Sequence, residues 1–308
     1  MRVFIPRYNS DAGLWIYNGY FNAWRSLGFE VSFFDSISEI KCDSEYFLMC
    51  VDAQVNNENL LILERSTASF IYAQPNVFPK PWVSHPNFQC HCHADVIKKI
   101  NQLSNTVIWT FSHNRRLFSL WKKTINLPLA FDDVAYRSDA EFTKEDIDVC
   151  FIGGAASNGF NTKIKIINDT LREFEKSGLK CRFHVNELIP HEKERSILLS
   201  SKIAINIHDE YQRVLGLDTN ERTFKSLGCC GFMVSDRVEC LNSIFEEIPQ
   251  SNNPEQMVKI VKEALASEGL EEIKEKNKRF ILQNHTYKSR IKKLLHEATE
   301  NHLHNPLL

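Results

Sequence analysis

NERTFKSLGCCGFMVSD, residues 220–236, follows the apolar run IAINIH, which ends at His208. We predict a buried strand, a polar loop, a two-turn helix closed by Gly228 and a second buried strand. A helix that starts after such a strand presents backbone N–H groups and its positive dipole end at the carboxyl edge of the sheet. Parallel α/β sheets bind their ligands at that edge. The stretch therefore predicts a site for a phosphate-bearing ligand.

The composition is that of a globular protein large enough for two domains. The chain has 308 residues, of which 43% are hydrophobic and 25% are charged. The net charge of −2 gives no electrostatic reason to expect nucleic acid or an anionic membrane as a partner. No apolar run approaches the roughly 20 residues of a membrane span. The start MRVFIPR lacks signal-peptide features and the nine cysteines are an odd number, so we expect a cytoplasmic protein with reduced thiols.

Short apolar runs alternate with amphipathic stretches along the whole chain, which is typical of parallel sheets with crossover helices. The predicted strands are Arg2–Ile5, Val31–Phe34, Tyr46–Val51, Ser69–Tyr72, Val107–Thr110, Asp148–Gly153, Cys181–Val185, Ile203–His208, Phe232–Ser235 and Phe245–Ile248. The clearest predicted helices are Trp15–Leu27, Lys163–Ser177, Pro254–Ser267 and Leu270–Gln283.

The pattern restarts at Asp148 after a polar stretch, Tyr136–Asp146, which we interpret as an interdomain linker. The prediction is an α/β protein with two Rossmann-like domains facing each other across a cleft. They would span residues 1–135 and 146–287, with a last helix at about 288–308 packing back on the first domain.

Two segments of the second half could hold a phosphate. Small residues follow a strand at Gly153, Gly154 and Asn158, where backbone amides could approach a ligand closely, although a plain tight turn fits equally well. Asn220 is a good N-cap, and Arg222 and Lys225 lie three residues apart on one face. That face could bind a diphosphate, or it could be an exposed face on which Glu221 pairs with Lys225.

Other polar residues carry weaker signals. The run Cys90–His93 (CHCH) resembles a metal cluster, but adjacent side chains diverge, so no metal site is predicted. His184 and His208 end apolar strands, where a histidine is a structural residue more often than a catalyst. The loop after the first strand offers polar groups for an acceptor or donor but lacks the dinucleotide fingerprint, which argues against a dehydrogenase. Its candidate residues are Asn9, Ser10, Asp11 and Tyr17.

Several of these segments together resemble the CgeB-like glycosyltransferases, a branch of the GT-B superfamily. The matching segments are DVCFIGG at 148–154, NIHDE at 206–210, ERTFKSLGCCGFMVSD at 221–236, and His285-Thr286-Tyr287 with Arg290. NLPLAFDDVAY at 126–136 is similar to the segment that joins the two domains in GT-B proteins. Residues 1–125 match only in outline.

The resemblance implies glycosyl transfer from a nucleoside-diphosphate sugar, with UDP- or GDP-sugars as expected donors, no metal ion and no permanently bound cofactor. Gly153, Gly154 and Asn158 would lie under the donor, and His184 would lie near the base. Asn220, Glu221 and Thr223 would lie near the ribose and diphosphate, with Arg222, Lys225 and His208 in catalytic roles. Relatives carry Glu where this chain has Lys225, which leaves the ribose contact to Glu221 or removes it.

The sequence favours a glycosyltransferase that acts on a glycan or other hydroxyl acceptor, with retention of the anomeric configuration by superfamily analogy alone. One alternative is a nucleotide-sugar epimerase of the same fold, for which we find no acid/base carboxylates. Another is a non-catalytic nucleotide- or sugar-binding module, which Lys225 favours.

Overall fold

The computed structural model describes residues 1–9, 11–41, 44–84, 90–139, 141–155 and 162–303, with the backbone alone for Asp11, Ser84 and 301–303. Ser10 and Asn158 lie outside the described residues. The chain divides into two compact units. Unit 1 comprises Met1–Pro128 and the chain from Tyr287 onward, and unit 2 comprises Leu129–Thr286.

Unit 1 is built on a six-stranded, fully parallel sheet in the order β2-β1-β3-β4-β5-β6. Its strands are β1 (Arg2–Pro6), β2 (Glu30–Phe34), β3 (Tyr46–Val51), β4 (Ala68–Tyr72), β5 (Thr106–Thr110) and β6 (Ile125–Asn126). Its helices are α1 (Asp11–Ser26), α2 (Leu60–Arg65), α3 (Ala94–Ile100) and α11 (Tyr287–Leu303).

Unit 2 is built on a four-stranded parallel sheet in the order β10-β9-β7-β8. The strands are β7 (Ile147–Gly153), β8 (Cys181–Val185), β9 (Ser201–Asn206) and β10 (Met233–Ser235). The helices are α4 (Lys163–Lys176), α5 (His191–Ser200), α6 (Glu210–Leu215), α7 (Glu221–Lys225), α8 (Glu239–Ile244), α9 (Pro254–Ala266) and α10 (Leu270–Asn284).

Burial explains why apolar runs became strands and periodic stretches became helices. All six residues of β3 are buried, as expected for a central strand with both faces covered. In α4 the buried Ile167, Leu171 and Phe174 repeat at helical spacing and pack in the core of unit 2 with Phe151 and Ile205. The sheet of unit 2 therefore packs against an apolar core that it shares with the helices.

The structure confirms nine of the ten predicted strands, most with end shifts of one or two residues. The predicted strand Phe245–Ile248 is wrong: that segment is irregular and only Gln250 forms an isolated bridge, with Ser235. The short strand β6 was not predicted, because two residues are too few to show a period of two.

The predicted helix end at Gly228 is also wrong. The helix continues from α7 into a π-helical turn, Ser226–Cys230, and stops at Gly231, whose φ of 84° favours glycine. Gly228 serves close packing instead, since a Cβ there would lie 2.7 Å from the Phe131 ring. A glycine inside a helix can mark close packing as well as an end, and the sequence does not distinguish these two roles.

The division between the units lies at Pro128, upstream of the polar stretch Tyr136–Asp146 in which the linker was predicted. That stretch is tied to unit 2, because the Tyr136 hydroxyl donates to Glu194 and Lys180 pairs with Asp146. Helix α11 is anchored in unit 1, where the Tyr287 ring contacts Tyr20 at 4.8 Å and Arg290 Nε donates to the Pro128 carbonyl at 2.7 Å. Among the described residues, no helix is both long enough and apolar enough to cross a membrane.

A matched pair of glycine substitutions tests the packing at the end of the π turn. Gly178 and Gly231 both have positive φ, but a Cβ at Gly178 meets nothing within 4 Å, whereas one at Gly231 lies 2.7 Å from the Lys274 carbonyl oxygen. We expect Gly178→Ala to lower the free energy of unfolding by about 1–2 kcal/mol. Gly231→Ala should cost about 1–3 kcal/mol more because of the overlap. Urea unfolding measures both, and equal losses would contradict the packing argument.

Candidate functional site

Arg222 lies across the point in unit 2 where the strand order changes direction. Its Nε donates to the carbonyl of Ile152, at the end of β7, at 2.6 Å. Its Nη1 donates to Asn206 Oδ1 at 3.0 Å and to the Ile207 carbonyl at 3.2 Å, at the end of β9. The connection after β7 leads to β8 on one side of the sheet, and the connection after β9 leads to β10 on the other side. The carboxyl ends of β7 and β9 are therefore the topological switch point, where such sheets bind ligands.

Two neighbouring residues fix this position of the guanidinium. A Cβ on Gly153 would lie 1.9 Å from Arg222 Nη2, so glycine leaves the room the side chain needs. Asn220 caps α7 by accepting the Thr223 N–H at 3.2 Å, and its Nδ2 donates to Asn206 Oδ1 at 3.0 Å. Within the described part of the chain Nη2 has no hydrogen-bond partner, and the side chain is partly exposed. Arg222 thus keeps one donor pair for an anion.

Lys163, which the sequence analysis did not single out, supplies a second cation at the same edge. It is the first residue of α4, its side chain is 5% exposed, and its Nζ lies 3.4 Å from Asp209 Oδ1. Burial, and secondarily the charge of Arg222, lowers the pKa of Lys163 to about 8. The only sequence signal was its place at the start of a helix after the small-residue turn.

His208 is enclosed beneath this edge. It is fully buried, with Nδ1 2.7 Å from Asp236 Oδ1 and Nε2 2.7 Å from Thr219 Oγ1. The same Asp236 accepts the His208 backbone N–H through Oδ2 at 3.0 Å. Both ring nitrogens lie at hydrogen-bond distance from a partner. His208 therefore has the geometry of a residue that positions the segment between β9 and α7. Its predicted catalytic role stays a prediction.

Lys225 and Glu221, predicted as donor ligands, bind each other. Lys225 Nζ lies 2.7 Å from Glu194 Oε1 and 3.0 Å from Glu221 Oε1, and 5.6 Å from the centre of the Tyr136 ring. Burial lowers the pKa of Lys225, but the two carboxylates outweigh it and the net shift is upward. In this arrangement the ammonium group neutralises two acids, one of which, Glu194, is itself buried.

The turn after β7 depends on a residue from the next loop. A Cβ on Gly154 would lie 1.9 Å from Asn186 Oδ1, which accepts the Ala155 N–H at 3.0 Å. Asn186 itself has a φ of 54° and donates its N–H to the Gly153 carbonyl. Nearby, His184 Nδ1 lies 2.6 Å from Glu187 Oε2, while its Nε2 is buried and has no partner in the described part of the chain. One ring nitrogen therefore remains for a ligand.

In unit 1 the predicted acceptor residues lie after β1. Asn9 is exposed, and Asp11 is the first residue of α1. Tyr17 is 4% exposed and stacks on Tyr8 with ring centres 5.1 Å apart, so its ring belongs to an aromatic cluster. In the run Cys90–His93, Cys92 Sγ lies 3.8 Å from the Val55 carbonyl, and the described residues contain no group of three metal ligands.

Charge exchange tests the role of Lys225. Lys225→Glu would bury three carboxylates together and should lower the free energy of unfolding by about 3–5 kcal/mol. The double variant Lys225→Glu/Glu194→Lys should recover most of that loss. Lys259→Glu, which breaks an exposed pair with Glu263, is the matched control and should cost less than about 1 kcal/mol. Equal effects of Lys225→Glu and Lys259→Glu in urea unfolding would contradict this role.

A comparison with known protein families gives a match for the second half of the chain. Residues 149–296 match a family model described as glycosyl transferase-like. No curated protein matches the chain.

Solved structures match nearly the whole chain at low identity. An alpha-glucosyltransferase in complex with UDP and a 13-mer DNA containing an HMU base is 13% identical, with a TM-score of 0.61 over 97% of this chain and 98% of that chain. AviGT4, a glycosyltransferase involved in avilamycin A biosynthesis, is 10% identical, with a TM-score of 0.52 over 97% and 96%. The beta-glucosyltransferase of T4 phage, in complex with UDP and Mn²⁺, is 12% identical, with a TM-score of 0.50 over 98% and 99%.

Identities this low establish the fold alone. The mixed α/β architecture with two parallel sheets, predicted from the sequence, is confirmed as the fold of the GT-B glycosyltransferases, and residues 149–296 match a glycosyl transferase-like domain.

Proposed function

We propose that this protein is a glycosyltransferase that moves a sugar from a UDP-sugar to an acceptor hydroxyl. The observation that carries the proposal is Arg222, a guanidinium held by backbone carbonyls and an amide at the switch point of unit 2, whose Nη2 has no hydrogen-bond partner among the described residues. The UDP in the structures of the alpha- and beta-glucosyltransferases supports uracil as the base of the donor nucleotide.

The chemistry requires a group that stabilises a leaving diphosphate. The bond from the anomeric carbon to the diphosphate oxygen breaks, and negative charge grows on the diphosphate. The acceptor oxygen forms a bond to the same carbon and gives its proton to the departing diphosphate oxygen. Preorganised cations at that point lower the barrier more than cations that must first be desolvated. We assign this role to Arg222 and Lys163, because Lys225 is neutralised by Glu194 and Glu221.

The rest of the donor would lie along the same edge. Gly153 and Gly154 would lie beside the donor, where they leave room for the side chains of Arg222 and Asn186. The Nε2 of His184, which has no partner among the described residues, would contact the base. Glu221, whose side chain is 19% exposed, would bind the ribose, while the fully buried Thr223 holds Asn206 in place through its hydroxyl at 2.9 Å. This arrangement gives Glu221 the contact that the CgeB-like resemblance assigns to the position of Lys225.

Unit 1 would supply the acceptor side, beginning with Asn9, Ser10 and Asp11. We also propose transfer that retains the anomeric configuration and needs no added metal. The proton NMR coupling constant of the product's anomeric hydrogen reports the first, and activity in EDTA against Mn²⁺ reports the second. An inverted product, or activity only with Mn²⁺, would overturn the respective statement.

Nucleotide binding is the first test. We expect UDP to raise the melting temperature by a few degrees at saturating concentration, since a ligand of the native state stabilises it by mass action. Arg222→Lys keeps the charge but loses the fork, and should weaken UDP binding by about 10- to 100-fold. Arg172→Ala, an exposed arginine on α4, is the matched control and should bind normally.

The outcomes separate the candidate functions. No shift with UDP, GDP, ADP or dTDP for folded protein would exclude the nucleotide site. Binding without transfer or donor hydrolysis would leave a non-catalytic module, and interconversion of the free nucleotide sugar would identify an epimerase.

Proton uptake tests the place of Lys163. Its pKa of about 8 leaves the amine largely neutral above that pH, and a bound diphosphate favours the charged form. Binding of UDP at about pH 8.5 should therefore take up close to one proton, seen as a buffer-dependent heat in calorimetry. Lys163→Met should abolish the uptake, whereas Lys165→Met, at an exposed position on the same helix, should not. Buffer-independent heats in the wild-type protein would contradict this assignment.

A further inference from the structure

A buried carboxylate in unit 1 has no structural partner for one of its oxygens. Asp52 directly follows β3 and is completely buried. Its Oδ2 accepts the Gln74 backbone N–H at 2.8 Å, whereas Oδ1 has no partner at hydrogen-bond geometry among the described residues. The Ala53 N–H and the Cys90 thiol lie close enough to the carboxylate to lower its pKa, and a thiol is only a weak donor. An unsatisfied buried carboxylate oxygen is costly, so it calls for a ligand or another explanation.

The position of Asp52 is where the sheet of unit 1 would bind a ligand. The connection after β1 leads to β2 on one side of the sheet, and the connection after β3 leads to β4 on the other side. The carboxyl ends of β1 and β3 are therefore the switch point of this sheet. Tyr8 follows β1, Asp52 follows β3 and Gln74 follows β4. The three residues therefore meet at one edge, and the charge of Asp52 is felt by the Tyr8 phenol.

Aromatic side chains follow or end the neighbouring strands at this edge. The half-buried Tyr8 stacks on Tyr17 with an interplanar angle of 11°. The half-buried Tyr72 packs against Trp109 at 5.0 Å and Phe111 at 4.7 Å. Such rings offer an apolar face together with a hydroxyl, and a few polar groups among apolar walls are typical of small-molecule sites.

The charge of the site limits what it can bind. Among the described residues no Lys or Arg forms an ion pair with Asp52, and Arg7, the cation that follows β1, pairs with Asp35 at 3.2 Å. His91 is the cationic group that acts on Asp52, and its charge lowers the pKa of this carboxyl. Burial raises the pKa of Asp52 to about 6, so the group is largely a carboxylate at neutral pH. A phosphodiester backbone would be repelled, whereas a neutral ligand rich in hydroxyl groups would supply the missing donor.

We propose that this edge of unit 1 is the acceptor site and that the acceptor is a saccharide, with Asp52 Oδ1 accepting a hydrogen bond from a sugar hydroxyl and the Tyr8 and Tyr72 rings flanking the apolar face of the sugar. This inference rests on the proposed glycosyl transfer for its purpose, but the binding site can be tested without it. It names the acceptor class, which the fold leaves open.

The test is saturation-transfer NMR of the full chain with a panel of methyl glycosides: glucoside, galactoside, mannoside, N-acetylglucosaminide and rhamnoside. At least one should receive saturation from the wild-type protein. Asp52→Asn keeps an oxygen for the Gln74 N–H but places an amide donor where Oδ1 was, and should weaken that binding by about 10-fold or more. Tyr8→Ala should weaken it as well, and Glu64→Gln, at an exposed carboxylate on α2, should not.

Stability measurements show whether Asp52→Asn is folded. Because the pKa of Asp52 is raised in the folded state, ionisation of this group lowers the free energy of unfolding as the pH rises from about 4 to 6. The free energy of unfolding of Asp52→Asn should therefore increase relative to that of the wild-type protein over this range. The variant should also keep the melting-temperature shift with UDP. If UDP does not shift the melting temperature of the wild-type protein, the proposed donor site is wrong. The binding of glycosides still tests the saccharide site in that case.

Two results would overturn the saccharide site. One is the absence of saturation transfer to every glycoside with folded wild-type protein, or equal transfer with Asp52→Asn. The other is displacement of a bound glycoside by a DNA oligonucleotide at low salt, which would point to a nucleic-acid acceptor.

Discussion

The hydrogen bonds of Arg222 to the ends of β7 and β9 are the interaction on which unit 2 depends. A guanidinium that donates to two backbone carbonyls and an amide oxygen has its charge uncompensated by those partners. Such a group is costly to bury without an opposite charge nearby. The side chain is partly exposed here, and burial lowers its pKa, while the charges of Glu221 and Asp209 act on it and raise its pKa.

Several residues have their identity set by this arrangement. Gly153 lacks a side chain because Arg222 occupies the space, and Asn206 at the end of β9 accepts from both Arg222 and Asn220. Asn220 in turn fixes the start of α7, from which Arg222 projects. His208 positions the loop that precedes α7 through hydrogen bonds with Asp236 and Thr219. The site is therefore rigid before a ligand arrives, which is the condition for electrostatic stabilisation of a leaving group.

Lys225 illustrates how a buried cation can be accommodated. The buried ammonium group is balanced by Glu194, which also accepts from the Tyr136 hydroxyl, and by Glu221 one helical turn earlier. Because removal of either partner would leave a buried charge, the network is strongly coupled. Lys225 therefore belongs to the packing of unit 2 as much as to its ligand site. Lys163 is the second cation at the carboxyl edge of this sheet.

The sequence determined the fold class and most of the elements, because buried strands and amphipathic helices carry their own periodicity. It also identified Arg222, Asn220 and Gly153, since all three lie in local strand-turn-helix patterns. It could not find Lys163, Asn186, Tyr8 or Asp52, and it misjudged the end of the helix at Gly228. Lys163 and Arg222 are 59 residues apart and meet only because crossover connections bring the carboxyl ends of parallel strands to one edge. Local pattern follows from the chain alone, whereas the partner of each charge is decided by tertiary packing, which sets distance and burial.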